Sequence, residues 1–161
     1  MRQYLIVATA AWLWLAPPIA VADEAPGDVL VAMFEWWNEA MHDDEAGFTA
    51  ETFAQYWTDD AVMIINGNEF GPGPAELARH FRRIQADTDN VEILLPFREG
   101  FDQGNRTFTY HYVRAITGDE VRYSRVMGVA EVRDGRLARV EFLNARIEGE
   151  PPPRDLPAAA R

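Results

Sequence analysis

The spacing of hydrophobic residues divides the chain into a helical part and a strand part. Before residue 91, apolar residues recur at intervals of three and four, as Phe53, Tyr56 and Trp57 do, which is typical of helices that bury one face. From Val91 onward, apolar and polar residues alternate, which is typical of strands. The pattern predicts an α+β chain in which the helices come first.

Polar and proline residues mark the starts of three helices. Asp28 is expected to cap a first helix over residues 28–41, and one of the adjacent Trp36 and Trp37 should fill the core. Thr49 is expected to cap the second helix, and Pro74 suits the first turn of the third. A short β-branched run over residues 61–65 predicts a strand between the second and third helices.

Four further strands are predicted over residues 91–101, 106–116, 121–133 and 136–147. The segments between them are short and contain glycine with aspartate or asparagine, which favours tight turns and an antiparallel meander. Pro96 cannot donate a backbone hydrogen bond, so we expect an edge position or a bulge there.

The two ends of the chain differ in composition from its middle. Residues 1–22 combine a positive start, an apolar run over residues 4–16 and a final Ala20-Val21-Ala22, which is typical of a secretory signal peptide cut after Ala22. The run is short of the roughly 20 apolar residues that span a bilayer, so we expect no stable membrane insertion after cleavage. A single domain over residues 23–149 and a disordered, proline-rich tail over residues 150–161 are predicted.

The net charge limits the classes of binding partner, and the cysteine content limits how the fold is stabilised. The net charge of −11 argues against nucleic acid and anionic membrane surfaces, because both would repel the chain. The chain contains no cysteine, so an exported protein of this sequence relies on its core rather than on disulfides. A bacterial periplasm or the extracellular space is the expected location.

Three motifs follow one another along the chain. They are the run Tyr56-Trp57-Thr58-Asp59-Asp60-Ala61, Gly73 followed by an apolar helix ending His80-Phe81, and a terminal hairpin turning at residues 134–136. In this order they resemble the nuclear transport factor 2-like superfamily, which includes ketosteroid isomerase and the SnoaL-like polyketide cyclases. The resemblance covers residues 28–147. It implies a cone-shaped, curved antiparallel or mixed sheet wrapped around three N-terminal helices, an apolar cavity, and homodimers.

The same resemblance argues against ketosteroid isomerase chemistry. The positions of that enzyme's catalytic base and oxyanion aspartate fall on Ile65 and Gly128, and neither residue can move a proton. No Asp or Glu is predicted to point inward from a strand, so we also expect no chemistry based on paired carboxylates.

Strand alternation and the resemblance together predict which side chains face the cavity. In the strand over residues 106–116 the bulkier set is expected inward, and in the last two strands the resemblance selects the set. The inward sets are Phe108, Tyr110, Tyr112 and Arg114; Arg122, Ser124, Val126, Gly128, Ala130 and Val132; and Ala138, Val140, Phe142, Asn144 and Arg146. An outer apolar set, expected to form a dimer surface, comprises Tyr123, Met127, Val129, Leu143 and Ile147.

His80 is the only candidate general base predicted in the cavity, with Tyr110 or Tyr112 as its partner. Structural roles for the histidine, at the helix–sheet boundary, and for the tyrosines, as core aromatics, stay open. The predicted ligand-binding residues are Trp57, Ile65, His80, Tyr110, Tyr112, Arg114, Phe142 and Asn144. We expect no metal and no cofactor, because the three histidines are scattered and no phosphate or dinucleotide loop is present.

Three functions are compatible with these observations. The protein is an exported module that binds a small apolar or amphipathic molecule, a SnoaL-like isomerase, cyclase or dehydratase that uses His80 with a cavity tyrosine, or a non-catalytic dimeric interaction protein. If Arg114, Arg122 and Arg146 point inward, a ligand with an acidic or strongly polar end is expected. The alternative is that these arginines lie at the rim and reach water, or pair with Glu35, Glu39 or Glu69.

Overall fold

The computed structural model describes residues 25–42 and 47–148. The predicted signal peptide and tail lie outside these residues. The helices are α1 (Pro26–Ala40), α2 (Ala50–Tyr56) and α3 (Gly73–Asp87), and the strands are β1 (Trp57–Ile65), β2 (Asn68–Phe70), β3 (Asn90–Gln103), β4 (Arg106–Thr117), β5 (Glu120–Arg133) and β6 (Arg136–Arg146). No helix in the described ranges is long and apolar enough to cross a bilayer.

All six strands form one curved, unclosed sheet in the order β2-β1-β6-β5-β4-β3. Strands β3 to β6 form the predicted antiparallel meander, and β1 runs parallel to β6. The α+β class and the mixed sheet packed on three helices are confirmed. The sequence did not predict β2, which pairs with the end of β1.

Two of the three helix starts agree with the sequence. Thr49 and Thr52 form a reciprocal capping box, with N···O distances of 3.1 and 3.0 Å, and α3 has its proline in the first turn. The predicted Asp28 cap is wrong. Helix α1 begins two residues earlier at Pro26, because proline suits a first helical position where no N–H is needed.

Aromatic rings from all three helical segments fill the space above the sheet. Trp37 is buried and contacts Phe48 and Phe81, while Trp36 stacks on Tyr56 with ring centroids 5.0 Å apart. One tryptophan therefore fills the core, as predicted, and the other packs against α2.

Strand β3 is one of the two edge strands, and its pairing with β4 shifts register between Leu94 and Glu99. Pro96 lies within this irregularity, so both features expected of that proline are confirmed. Val91 and Ile93, which precede the shift in the chain, border the internal cavity.

The predicted inward face of β4 is wrong. Thr107, Thr109 and His111 are buried against the helices, whereas Tyr110 and Tyr112 lie on the other side and their hydroxyl oxygens are 2.9 Å apart. The bulkier set is outside because Phe34 and Phe142 already occupy the inner space, with ring centroids 6.1 Å apart.

The inward face of β5 is confirmed for its buried members Val126, Ala130 and Val132. In β6, Val140 and Phe142 are buried as predicted, but Leu137 is also buried. A register shift between Glu131 and Val132 leaves Ala138 without a partner on β5, and such a bulge reverses the alternation locally. Leu137 is therefore inward, although strand alternation excludes it from the inward set predicted for this strand.

Candidate functional site

A cavity of about 150 Å³ lies between α1, α3 and the inner face of the sheet. Its rim is formed by partly or fully exposed residues, namely Ile65, Ile84, Val91, Ile93, Val113 and Asn144. Its deep part is formed by buried residues, namely Met33, Phe34, Trp37, Met63, Phe81, His111, Val126 and Phe142. The lining is almost entirely apolar, and its size matches a single small ring, because an apolar cavity of about 150 Å³ accommodates benzene.

His111 is the histidine of this cavity. It is only 2% exposed and lies among Phe34, Phe97 and Phe142, with ring centroids 5.3, 5.3 and 5.5 Å from the imidazole. Burial lowers the pKa of His111 to about 4, because an apolar surrounding disfavours the imidazolium. The imidazole is therefore neutral at neutral pH.

Two buried nitrogen atoms of residues that line the cavity have no hydrogen-bond partner among the described residues. They are Nδ1 of His111 and Nε1 of Trp37. Trp37 is 4% exposed, and its indole N–H can only donate. Leaving a buried polar atom unpaired costs about 1–3 kcal/mol, and the same holds for other buried atoms nearby, such as Oγ1 of Thr109 and Nε1 of Trp57.

Two asparagine side chains hold the rim of the cavity. The Asn38 amide donates to the carbonyl oxygen of Ile93 at 2.9 Å and accepts from its N–H at 2.8 Å. The Asn66 amide makes the same pair of bonds with Asn144, at 3.0 and 2.8 Å. Each of these two pairs of bonds forms an asparagine clamp, which satisfies the backbone N–H and carbonyl of one rim residue. The clamps thereby fix β3 and β6 beside the cavity.

No charged residue lines the cavity, whose wall lies wholly within the described residues. Arg114 forms an ion pair with Glu92, its partner across β3 and β4. Arg146 bonds Glu120 at 2.9 Å, and Arg122 lies 3.8 Å from the same carboxylate. The expectation of inward arginines is therefore wrong. Arg114 lies on the outer face of β4 with Tyr110 and Tyr112. Arg122 on β5 and Arg146 on β6 lie beside Glu120, at the start of β5.

His80 does not border the cavity. Its imidazole stacks on Phe70 of β2 with ring centroids 3.9 Å apart, and burial together with the nearby Arg83 lowers its pKa. On α3 the cavity-lining positions are Phe81 and Ile84. Because successive helical residues point about 100° apart, His80 faces β2 instead. Its predicted cavity position beside a tyrosine is wrong.

The other predicted ligand-binding residues divide into two groups. Ile65, Phe142 and Asn144 line the cavity as expected. Trp57 is fully buried in the core without lining the cavity, and Tyr110 and Tyr112 lie on the outer face. Because Tyr110 and Tyr112 point away from the cavity, the expected contacts between these tyrosines and a cavity ligand are excluded.

Ile65 and Gly128 occupy the two positions where the resemblance places ionisable groups. Ile65 is at the rim, and Gly128 pairs with Phe142 across β5 and β6. A Cβ atom on Gly128 would lie 2.0 Å from the carbonyl oxygen of Glu141 and 2.5 Å from the Phe142 ring. Glycine is required there because the two strands approach so closely.

His111 and Trp37 are the polar cavity groups that the sequence reasoning did not assign to the site. For His111 a signal was available in the turn between β4 and β5. This turn pairs Thr117 with Glu120, and the register then places His111 opposite the inward Val126. Residues opposite one another in an antiparallel pair share a face, so His111 must point inward.

Across the described residues, no three His, Asp or Glu side chains are grouped closely enough to bind a metal ion. The lining residues whose side chains carry nitrogen or oxygen atoms are Trp37, His111 and Asn144.

The chain is similar in sequence to one protein family and in fold to several solved structures. The model of the SnoaL-like domain matches residues 30–140, and no curated protein matches the chain. An LEH-like epoxide hydrolase from M. tuberculosis has a similar structure, with 20% identity, 74% of this chain and 82% of that chain covered, and a TM-score of 0.59.

Two further structures are similar. One is a SnoaL-like family protein from Agrobacterium tumefaciens, with 18% identity, coverage of 73% of this chain and 95% of that chain, and a TM-score of 0.56. The other, from Catenulispora acidiphila, has a ketosteroid isomerase-like fold and is in complex with trimethylamine, with 12% identity, coverage of 71% and 83%, and a TM-score of 0.57. These likenesses concern the fold. Because the family model spans more than half of the chain, the protein belongs to the SnoaL-like domain family.

Proposed function

We propose that this protein is an exported binding protein that holds one small, mainly apolar molecule in the cavity between α1, α3 and the sheet. The observation that carries the proposal is an almost entirely apolar cavity of about 150 Å³ whose lining also includes the polar side chain of Asn144 at its rim. Binding sites are usually apolar clefts with a few polar groups that orient the ligand. Export rests on the composition of residues 1–22.

The rim supports entry of a ligand from solvent. Ile65, Ile84 and Ile93 are only partly buried, so an apolar molecule meets apolar surface before it reaches the deep aromatic rings. The asparagine clamps keep both rim strands in place, and a preformed site loses less free energy on binding than one that must order itself.

A second candidate function is a SnoaL-like isomerase, cyclase or dehydratase in which His111, rather than His80, accepts the proton. The position of His111 in the cavity favours this reading. Its pKa of about 4 weighs against it, because a general base works best with a pKa near the working pH. Binding is therefore the primary proposal, and a non-catalytic interaction protein is the remaining alternative.

Two measurements test the binding proposal. Native mass spectrometry of protein purified from the exported fraction of its own cells is expected to show a co-purified small molecule. Titration with fluorobenzene, followed by ¹⁹F NMR, is expected to show saturable binding to the purified protein. Absence of both would contradict the proposal.

A matched pair of variants locates the binding. Ile65→Trp adds a large ring at the rim, and Leu143→Trp adds the same ring on the outer sheet face, where Leu143 is 64% exposed. Only Ile65→Trp is expected to reduce fluorobenzene binding. Equal effects of the two substitutions would place the ligand elsewhere.

A further inference from the structure

A cluster of two tyrosines and two arginines lies on the outer face of the sheet, on the opposite side from the cavity. Its members, here called the tyrosine–arginine cluster, are Arg98, Tyr110, Tyr112 and Arg125. We infer that this cluster is a second binding site and that it takes a small oxyanion, such as phosphate. The site goes beyond the proposed function, because none of its residues lines the cavity.

The two tyrosine hydroxyl groups form the centre of the cluster. Their oxygen atoms are 2.9 Å apart, and neither forms another hydrogen bond with a described residue. One hydroxyl therefore donates to the other, and the accepting hydroxyl keeps its own proton free. The hydrogen bond to Tyr112, followed by burial, raises the pKa of Tyr110, so this phenol stays protonated at neutral pH. The pair therefore offers an O–H donor to a ligand.

Two guanidinium groups place positive charge beside this hydroxyl pair. Arg125 pairs directly with Tyr112 across β4 and β5, so the two side chains share the outer face. Arg98 lies in the irregular part of β3, immediately before the residue that pairs with Tyr110. The charges of Arg125 and Arg98 both oppose the rise in the pKa of Tyr110, so both arginines lie near its hydroxyl group.

Neither arginine of the cluster has a carboxylate partner among the described residues. Seven other arginines each form an ion pair with Asp or Glu, so Arg98 and Arg125 differ from most of the basic residues described. Arg125 is exposed and Arg98 is partly exposed, so an ion can reach both from solvent. Glu99 pairs with Tyr110 across β3 and β4 but forms no ion pair with either arginine. Two guanidinium groups beside a hydroxyl donor match the charge and the acceptor oxygens of phosphate.

The acidity of the whole chain does not prevent an anion from binding at this cluster. A net charge of −11 repels anions at long range. At physiological ionic strength, however, interactions between exposed charges are largely screened beyond about 8 Å. The local donors therefore decide the affinity. Phosphate is expected to bind more tightly than chloride, because several of its oxygen atoms can accept from the guanidinium and hydroxyl groups at once.

Titration with inorganic phosphate tests the site on the full mature protein at neutral pH and constant ionic strength. NMR of ¹⁵N-labelled protein is expected to show saturable shifts at the cluster, whereas the same ionic strength of sodium chloride should produce none there. Fluorobenzene binding in the cavity should be unchanged at saturating phosphate, because the two sites lie on opposite faces of the sheet. Absence of saturable phosphate shifts at the cluster would overturn the inference while leaving the proposed cavity function intact.

Matched variants assign phosphate binding to the cluster. Arg125→Gln is expected to weaken it about 5-fold, the factor that corresponds to the upper range for exposed ion pairs. Arg82→Gln on α3 is the control, since it removes the same charge from another exposed arginine without an ion pair among the described residues, and the affinity should not change.

The double variant Tyr110→Phe/Tyr112→Phe removes both hydroxyl groups without changing the charge. It is expected to weaken phosphate binding about 3-fold, because one hydrogen bond to the ion is lost. Equal losses in Arg125→Gln and Arg82→Gln, together with an unchanged affinity in the double tyrosine variant, would show attraction by charge alone and would overturn the inference.

Discussion

The side-chain amide of Asn38 forms hydrogen bonds with both backbone groups of Ile93, at 2.9 and 2.8 Å. This contact joins α1 to the edge strand β3 at the rim of the cavity. A strand edge carries backbone groups that need partners, and here a helix side chain supplies them. The same arrangement between Asn66 and Asn144 secures β6, so both clamps support the shape of the candidate site.

Asn38→Ala is expected to lower the free energy of unfolding by about 1–3 kcal/mol, because the partly buried N–H and carbonyl of Ile93 lose their partners. Urea denaturation measures the change. Asn68→Ala is the matched control, since that amide makes one exposed bond of 3.4 Å to Ile65, and it should cost less than about 0.5 kcal/mol. Equal costs would show that the clamp contributes nothing particular.

Gly128→Ala is expected to destabilise the protein by about 3 kcal/mol or more, because the added methyl group meets the backbone of Glu141 and Phe142. Thermal unfolding measures the effect. Gly100→Ala in β3 is the control: its added Cβ would lie 3.3 Å from the nearest atom, and the expected cost is about 1 kcal/mol. A tolerated Gly128→Ala would contradict the close approach of β5 and β6.

The stability of the protein should fall as the pH falls from 6.5 toward 4. In this window the unfolded chain binds a proton on His111, whose ordinary pKa is 6.5, while the folded chain, with a pKa of about 4, does not. Protons therefore favour the unfolded state, and the loss reaches about 3 kcal/mol at pH 4. Urea denaturation at several pH values measures the slope.

His111→Leu is expected to remove most of that pH dependence. His80→Leu should remove a smaller part, because the pKa of His80 is lowered in the same direction but this histidine is less buried. If the slope between pH 6.5 and 4 survives in His111→Leu, another group is responsible for it.

A homodimer through the outer sheet face remains a prediction. Met127 and Leu143 lie on that face and are 54% and 64% exposed, and Phe101, which stacks on Phe108, is 63% exposed. Exposed apolar patches of this kind are typical of association surfaces. Light scattering is expected to show a dimer for the wild type and a monomer for Met127→Glu.

Gln55→Glu on α2 is the control for that experiment, since it introduces the same charge at an exposed position away from the outer sheet face, and it should stay dimeric. A wild-type monomer, or a Met127→Glu variant of unchanged mass, would exclude this surface.

Export is tested by the N-terminus of the protein recovered outside the cytoplasm. Its first residue is expected to be Asp23, since Ala20 and Ala22 form the small-residue pattern of a cleavage site. Ala22→Leu should block processing, and Ala16→Leu, outside the site, should not. An exported protein that still begins at Met1 would contradict the prediction.

Local sequence patterns determined much of the fold. The turns at residues 104–105, 118–119 and 134–135 separate the four long strands, and the predicted strand limits differ from the observed ones by two residues or fewer at every end. The Thr49 cap and the helical position of Pro74 also followed from the sequence. These features depend on neighbouring residues, whose backbone preferences and hydrogen bonds act within one turn.

The site depended on contacts between residues far apart in sequence. Side-chain size suggested that Tyr110 and Tyr112 face inward, but the space was already occupied by rings from α1 and β6, and the hairpin register turned His111 inward instead. His80 stacks on Phe70 of the short strand β2 instead of facing the cavity. Arg114 forms an ion pair with Glu92 on the neighbouring strand. Alternation shows only that a strand has two faces. Packing between the sheet and the helices decides which face is buried and which side chains line the cavity.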